Sequence, residues 1–179
     1  MPTYVALLRG INISGQKLIK MADLRSHFTT FGATEARTYI QSGNVVFEHS
    51  EKSARTLQAK LEAHLANKLG YAVPTLVIAA KEFASIAAAI PYDTDQSEVG
   101  WRMYICFFQE PPTAAAIRTI KPLVTEKERL IIKGVVGYAF YEGGLGRAKL
   151  SSTIIERKLG LVTLRNWNTV SSLLGMLSP

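Results

Sequence analysis

Apolar positions along the chain switch between continuous runs and helical spacing, and each switch marks an element. Residues 3–9 are β-rich, contain the unbroken run Val5-Ala6-Leu7-Leu8 and stop at Gly10, which predicts a strand. The loop Gly10 to Lys17 follows. Met21, Leu24, Phe28 and Phe31 recur at helical spacing, with Gly32 as a C-terminal stop. Residues 37–41 and 44–48 read as strands around Ser42-Gly43, a tight-turn pair. Ser50 is placed to cap a helix whose stripe is Leu57, Leu61, Leu65 and Leu69, ending at Gly70. Val73 to Ala79 is a further apolar strand. The order β-α-β-β-α-β is that of a ferredoxin-like unit.

The pattern then partly repeats. A short helix from Glu82 to Ala89 stops at Pro91, and a polar linker runs from Tyr92 to Gly100. Arg102 to Gln109 predicts a strand, and Thr113 to Ile120 a helix stopped by Pro122. Arg129 to Lys133 and Tyr138 to Glu142 predict a hairpin around Gly134 to Gly137. Thr153 and Glu156 have capping-box spacing at the start of a helix that stops at Gly160. A last helix runs from about Asn166, with Trp167, Val170, Leu174 and Leu177 on one face. The expected fold class is α+β: two ferredoxin-like units in tandem, with antiparallel sheets, helices and a C-terminal helix. That helix is expected to replace a full fourth strand in the second unit. The expected boundaries are 1–80, a helix and linker over 81–100, and 101–179. Shared element order suggests internal duplication. Because Val5 to Leu8 and Leu76 to Ala80 do not alternate, both faces of the first sheet should be covered, one by its helices and the other by the second unit.

Composition narrows the class. The chain has 179 residues, 47% hydrophobic and 20% charged, which excludes a disordered chain and supports a core needing no disulfide or metal. Cys106 is the single cysteine, set in the apolar run Met103 to Phe108 with no His beside it, so it reads as a buried strand residue. No apolar run approaches the roughly 18 residues of a membrane span. The short apolar N-terminus lacks a signal-peptide core. A cytoplasmic protein with no membrane partner is expected.

In a ferredoxin-like unit the loop after the first strand and the turn between the second and third lie at one end. This groups Arg9, Asn12, Ser14, Gln16 and Lys17 with Tyr39, Gln41, Ser42 and Asn44. The set is rich in amide, hydroxyl and cationic donors and has no carboxylate, which suits an anionic or hydrogen-bonding ligand. Two ordinary turns would use the same Gly, Ser and Asn for backbone reasons. Gly10 and Gly15 brush against a phosphate-loop pattern, but Gln16 stands where Lys is required and Leu18 where Ser or Thr is required. A second candidate anion site comprises Arg147, Lys149, Ser151, Ser152, Arg165 and Asn166, at a glycine-rich loop and predicted helix starts. A capped helix and a Trp167 core anchor explain the same residues without a ligand. His27, His49 and His64 are scattered and give no metal motif. Asp93, Asp95 and Glu98 read as a solvated stretch. No cofactor is expected, and no catalytic group is assigned.

Four segments carry a family likeness: Ala6 to Asn12, Met21 to Arg25, Arg37 to Phe47, and Thr163 to Thr169 with its Arg165-Asn166-Trp167 centre. They resemble the signature segments of domain-of-unknown-function family 1697 over nearly the whole chain. The resemblance implies a small, mostly bacterial α+β protein with ferredoxin-like units, and it implies no activity. Family members often have Gly-Gly where this chain has Ser14-Gly15.

The net charge of +7 is uneven. Residues 1–80 hold 9 basic and 5 acidic groups, 81–142 hold 7 and 8, and 143–179 hold 5 and 1. A surplus at both ends of the chain favours a local anion site over a continuous nucleic-acid stripe. The leading expectation is a protein that binds, or acts on, a small anionic metabolite or nucleotide. The alternatives are a nucleic-acid-binding module and an oligomerising or adaptor protein. Against the nucleic-acid reading, Asn44 to Glu48 lacks the aromatic pattern of RNA-recognition strands. Oligomeric state is not encoded legibly.

Overall fold

The computed structural model describes residues 1–13, 15–91 and 101–177. The expected linker, with Asp93, Asp95 and Glu98, and Ser14 lie outside the described residues. The elements are β1 (Thr3–Leu8), α1 (Met21–Phe31), β2 (Thr34–Tyr39), β3 (Asn44–Glu48), α2 (Ala54–Leu69), β4 (Thr75–Ala79), α3 (Ala80–Ala88), β5 (Trp101–Phe108), α4 (Ala114–Ile120), β6 (Glu128–Lys133), β7 (Val136–Glu142), α5 (Ser152–Leu159), β8 (Val162–Asn166) and α6 (Trp167–Leu177). Short 3-10 turns occupy Lys121–Leu123 and Leu145–Arg147. The chain is α+β, with two four-stranded antiparallel sheets ordered β2-β3-β1-β4 and β6-β7-β5-β8. Two compact units result: Met1–Ser85 with Ser171–Pro179, and Ile86–Val170.

In the first unit Tyr4, Ala6, Leu8, Val45, Phe47 and Val77 share one core with Leu24 and Phe28 of α1 and Leu57, Leu61 and Leu65 of α2. Val5 and Leu7, on the opposite face of β1, are also fully buried. The non-alternating run thus corresponds to a strand buried on both faces. Phe28 meets Phe47 edge to face at 5.0 Å. Arg37 donates through Nη2 to the Met176 carbonyl at 2.7 Å, fastening the end of α6, whose last turn has no basic residue of its own. In the second unit Cys106, Phe108, Ala139, Tyr141, Leu150, Ile155 and Val162 form the core.

Several expectations need correction. The second unit has a full fourth strand, β8, paired along β5 from Phe108–Val162 to Tyr104–Asn166. Its five residues follow Gly160 too closely to stand out from the adjoining helices. Asn166 ends that strand and caps α6, accepting from Thr169 N–H at 2.8 Å. The cap of α2 is Ser53, not Ser50, and accepts from Thr56 N–H at 3.2 Å. The cap of α5 is Ser151, which accepts from Ile154 N–H at 3.3 Å, so Thr153 and Glu156 form no capping box. β2 ends at Tyr39 because Ile40 turns to φ +47°, outside strand conformation.

Candidate functional site

The loop after β1 and the β2–β3 turn do meet. Leu8 N–H donates to the Gly43 carbonyl at 2.7 Å. This approach leaves no room for a side chain at Gly43: a Cβ there would stand 2.7 Å from Leu8 Cβ and 2.9 Å from Ile11 Cδ1, at φ +82°. Asn12 joins the two segments. Its Nδ2 donates to the Gln41 carbonyl at 2.8 Å and the Ile19 carbonyl at 3.0 Å, while its Oδ1 accepts from Ile19 N–H at 2.8 Å. Asn12 does this at φ +54°, a conformation asparagine tolerates better than most residues.

The donors grouped at this end are largely engaged within the protein. Asn44 is fully buried, and its Nδ2 donates to the Tyr39 carbonyl at 3.1 Å and Ser42 Oγ at 3.0 Å. Lys17 Nζ donates to the Ala72 carbonyl at 3.1 Å and lies 5.4 Å from the Tyr71 ring centroid. Arg9 and Tyr39 are half-buried, and Arg9 N–H donates to the Pro74 carbonyl at 2.9 Å. Gln16 is exposed, and its N–H closes the loop on the Ile13 carbonyl at 2.9 Å.

Beside this staple lies a cleft of about 710 Å³, lined by Asn12, Leu18, Ile19, Lys20, Met21, Asp23, Ser26, His27, Gln41 and Leu69. Asn12 and Gln41 belong to the expected set, whereas Lys20, Ser26 and His27 do not. The missed signal is Lys20 itself. It occupies the cap position of α1, where Ser, Thr, Asp or Asn is usual, and no side chain caps the helix start. The cleft therefore combines an apolar wall of Leu18, Ile19, Met21 and Leu69, uncapped helix-start N–H groups, one cation and one carboxylate. Such a lining can bind an anion that carries an apolar portion.

The second candidate set is not gathered in the lining of one cleft. Arg147 and Lys149 line a cleft of about 550 Å³ with Thr125, Glu126, Lys127, Glu128, Glu142, Gly143 and Ala148. Three carboxylates oppose its three cations there, and Lys127 pairs with Glu142 at 3.6 Å. Glu128, only 5% exposed, accepts from Leu150 N–H at 2.8 Å and Thr125 N–H at 3.1 Å, closing the cleft wall. The Ser151 hydroxyl is committed to the α5 cap, and Ser152 is exposed in the first turn. Arg165 and Asn166 lie on β8, outside that lining. Burial lowers the Arg165 pKa to about 10, and Arg165 Nη1 donates to the Leu164 carbonyl at 2.9 Å. Cys106 is fully buried, and burial pushes its thiol up to about 12. Among the described residues no group of three His, Cys, Asp or Glu is arranged to hold a metal, and no helix is long and apolar enough to cross a membrane.

Fold and clefts together define an α+β protein of two four-stranded units, the first with a stapled corner beside a ligand-sized cleft. The chain belongs to the DUF1697 family, described as proteins of unknown function, whose model matches residues 1–138. It is similar to the solved structure of the conserved bacterial protein SP0830 from Streptococcus pneumoniae. That likeness has a TM-score of 0.79 and 23% identity and covers 99% of each chain, which establishes a shared fold. No curated protein matches the chain.

Proposed function

We propose that the first unit binds a small anionic metabolite or nucleotide in the cleft beside Asn12. The observation that carries this reading is the cleft itself: about 710 Å³, with Lys20 and the uncapped start of α1 on one part of its lining and an apolar wall on another. That volume lies within the usual range for small-molecule sites. Arg9, Lys17, Tyr39, Ser42 and Asn44 are in this reading the frame of the site, and Asn12 and Gln41 its polar wall. Arg147 and Lys149 form a weaker anion site, because carboxylates compete there.

The sheet orders β2-β3-β1-β4 and β6-β7-β5-β8 support the reading of two ferredoxin-like units that arose by duplication. A bacterial, cytoplasmic protein completes the proposal; the bacterial origin of the similar structure and the lone buried thiol agree with it.

The test is a thermal-shift and calorimetric screen of nucleotides, phosphorylated metabolites and inorganic phosphate. Lys20→Glu should abolish any binding at this cleft, and Arg147→Glu should leave it unchanged. A ligand bound equally well by Lys20→Glu overturns the assignment.

A further inference from the structure

Exposed aliphatic side chains gather at the stapled corner. Among the described residues the most exposed large apolar side chains after Met1 are Leu18 at 71%, Ile13 at 60% and Ile40 at 51%. The next, Leu123, is 39% exposed. Asn12 Nδ2 holds the Ile19 carbonyl at 3.0 Å and the Gln41 carbonyl at 2.8 Å. Ile13, Leu18 and Ile40 are the sequence neighbours of Asn12, Ile19 and Gln41. One amide therefore draws together three exposed aliphatic residues from two segments. Ile40 is the sharpest case. A β-branched residue avoids positive φ, yet Ile40 sits at φ +47° with half its surface in water. Neither burial nor backbone preference accounts for an isoleucine there. A clustered, exposed apolar surface marks a contact with something apolar.

The same corner borders the cleft of about 710 Å³. Asn12 and Gln41 line it, and so does Leu18, whose apolar wall continues through Ile19, Met21 and Leu69. Lys20 and Asp23 give that lining one ammonium and one carboxylate. Neither side chain has a hydrogen-bond or ion-pair partner among the described residues. One cation beside one carboxylate matches a ligand of single negative charge and opposes a polyphosphate. No Phe, Tyr or Trp lines the cleft, so the wall suits a flexible aliphatic chain better than a flat base.

We infer that the ligand of this cleft is an alkyl monoanion, a small amphiphile with one anionic head and an aliphatic chain. The head meets Lys20, and the chain runs along Leu18 towards the corner of Ile13 and Ile40. This inference rests on the anion-binding reading of the cleft and narrows it to one ligand class.

The probes are acetate, butanoate, hexanoate and octanoate, titrated by calorimetry below micelle-forming concentrations, with octylammonium as the control of opposite charge. A methylene is worth about fourfold in affinity when fully buried and about twofold when half buried, so octanoate should bind about 15–250-fold more tightly than butanoate. Octylammonium should bind at least about tenfold more weakly than octanoate. Lys20→Glu should abolish octanoate binding. Leu18→Ser, at an exposed position, should weaken octanoate at least about fivefold. Ile40→Asn should weaken it about two- to fivefold without lowering the melting temperature, because Asn tolerates the left-handed backbone. Loss of binding without loss of stability is a result that misfolding cannot mimic. The inference is overturned by no octanoate binding near about 10 mM, by affinity independent of chain length, by equal binding of octylammonium, or by full affinity in Leu18→Ser. If nucleotides or inorganic phosphate still bind in a Lys20-dependent way, the anion site stands and only its ligand class falls. Chain-length-dependent binding that survives Lys20→Glu overturns both.

Discussion

The two units solve one corner in different ways. In the first, Leu8 N–H bonds to the Gly43 carbonyl at 2.7 Å and Arg9 N–H to the Pro74 carbonyl at 2.9 Å. In the second, Phe108 N–H bonds to the Val135 carbonyl at 2.9 Å and Gln109 N–H to the Leu161 carbonyl at 3.0 Å. These are equivalent places in the two ladders, since each pair closes the last residues of the central strand on its two neighbours. Beyond them the units diverge. The second reaches its helix through residues 109–113, which include Pro111 and Pro112, and a cleft of only about 350 Å³ lies there. The first uses residues 9–20, with Gly10, Asn12, Gly15 and Lys17 at positive φ. A longer, strained and stapled loop is not needed to build the fold, because the second unit does without one. The extra chain forms part of the wall of the larger cleft, which is why the binding proposal rests there.

The sharpest way to break this comparison is at Gly43. Gly43→Ala forces a Cβ against Leu8 and Ile11 at an unfavourable φ, and should cost about 2–4 kcal/mol in denaturant unfolding. The matching change Val135→Ala removes an exposed side chain and should cost under about 0.5 kcal/mol. Equal costs would mean that the two corners are not built differently. Next comes Asn44→Ala, which leaves the Tyr39 carbonyl without its buried donor and should cost about 1–3 kcal/mol. Asn12→Gly keeps the left-handed backbone accessible but removes the staple. It should disorder the 9–20 loop, read as faster amide exchange there, with a smaller global loss than Asn44→Ala.

Alkali should separate the units in the other direction. Burial raises the pKa of Cys106 to about 12 and also raises that of Tyr141, while the place of Cys106 in the first unit's ladder is taken by Ala6. An acid group with a raised folded pKa adds stability fully present below its unfolded pKa and lost as pH rises towards the folded one. For Cys106 that window opens near pH 8.5–9 and runs to about 12, with a slope of up to about 1.4 kcal/mol per pH unit. Stability should fall by about 1–2 kcal/mol between pH 9 and 10, and Cys106→Ala should flatten the decline. A decline unchanged in that variant assigns it to the tyrosines.

Helix stripes, the hairpin and the buried strand cysteine were legible because each depends on residues close in sequence. Leu57, Leu61 and Leu65 are spaced for one face, and all three are fully buried. The clustering of loop and turn was legible from topology, and Asn12 and Gln41 do meet. What could not be read was how the donors are spent. Nothing local in Asn44 says that its amide serves the Tyr39 carbonyl, nor in Lys17 that it reaches Ala72, 55 positions away. β8 was missed because a five-residue strand between two helices has too few positions to show a period. Lys20 was missed because its signal is the lack of a capping residue.

A smaller effect than those of Gly43 and Asn44 is expected at a side chain that ties β2 to α6. Arg37 lies on the edge strand β2 and donates to the Met176 carbonyl at 2.7 Å. The carbonyls ending a helix carry partial negative charge, and α6 offers no basic residue in its last turn to meet it. Arg37→Ala should therefore cost about 0.5–1 kcal/mol, as expected for an exposed charge-assisted bond, and should cost less as salt is raised. Arg37→Lys keeps the charge but not the guanidinium geometry and should recover part of the loss. Amide exchange locates the effect: faster exchange confined to residues 173–177 supports a fastening role for Arg37. Equal loosening of β2 would show instead that the residue serves its own strand.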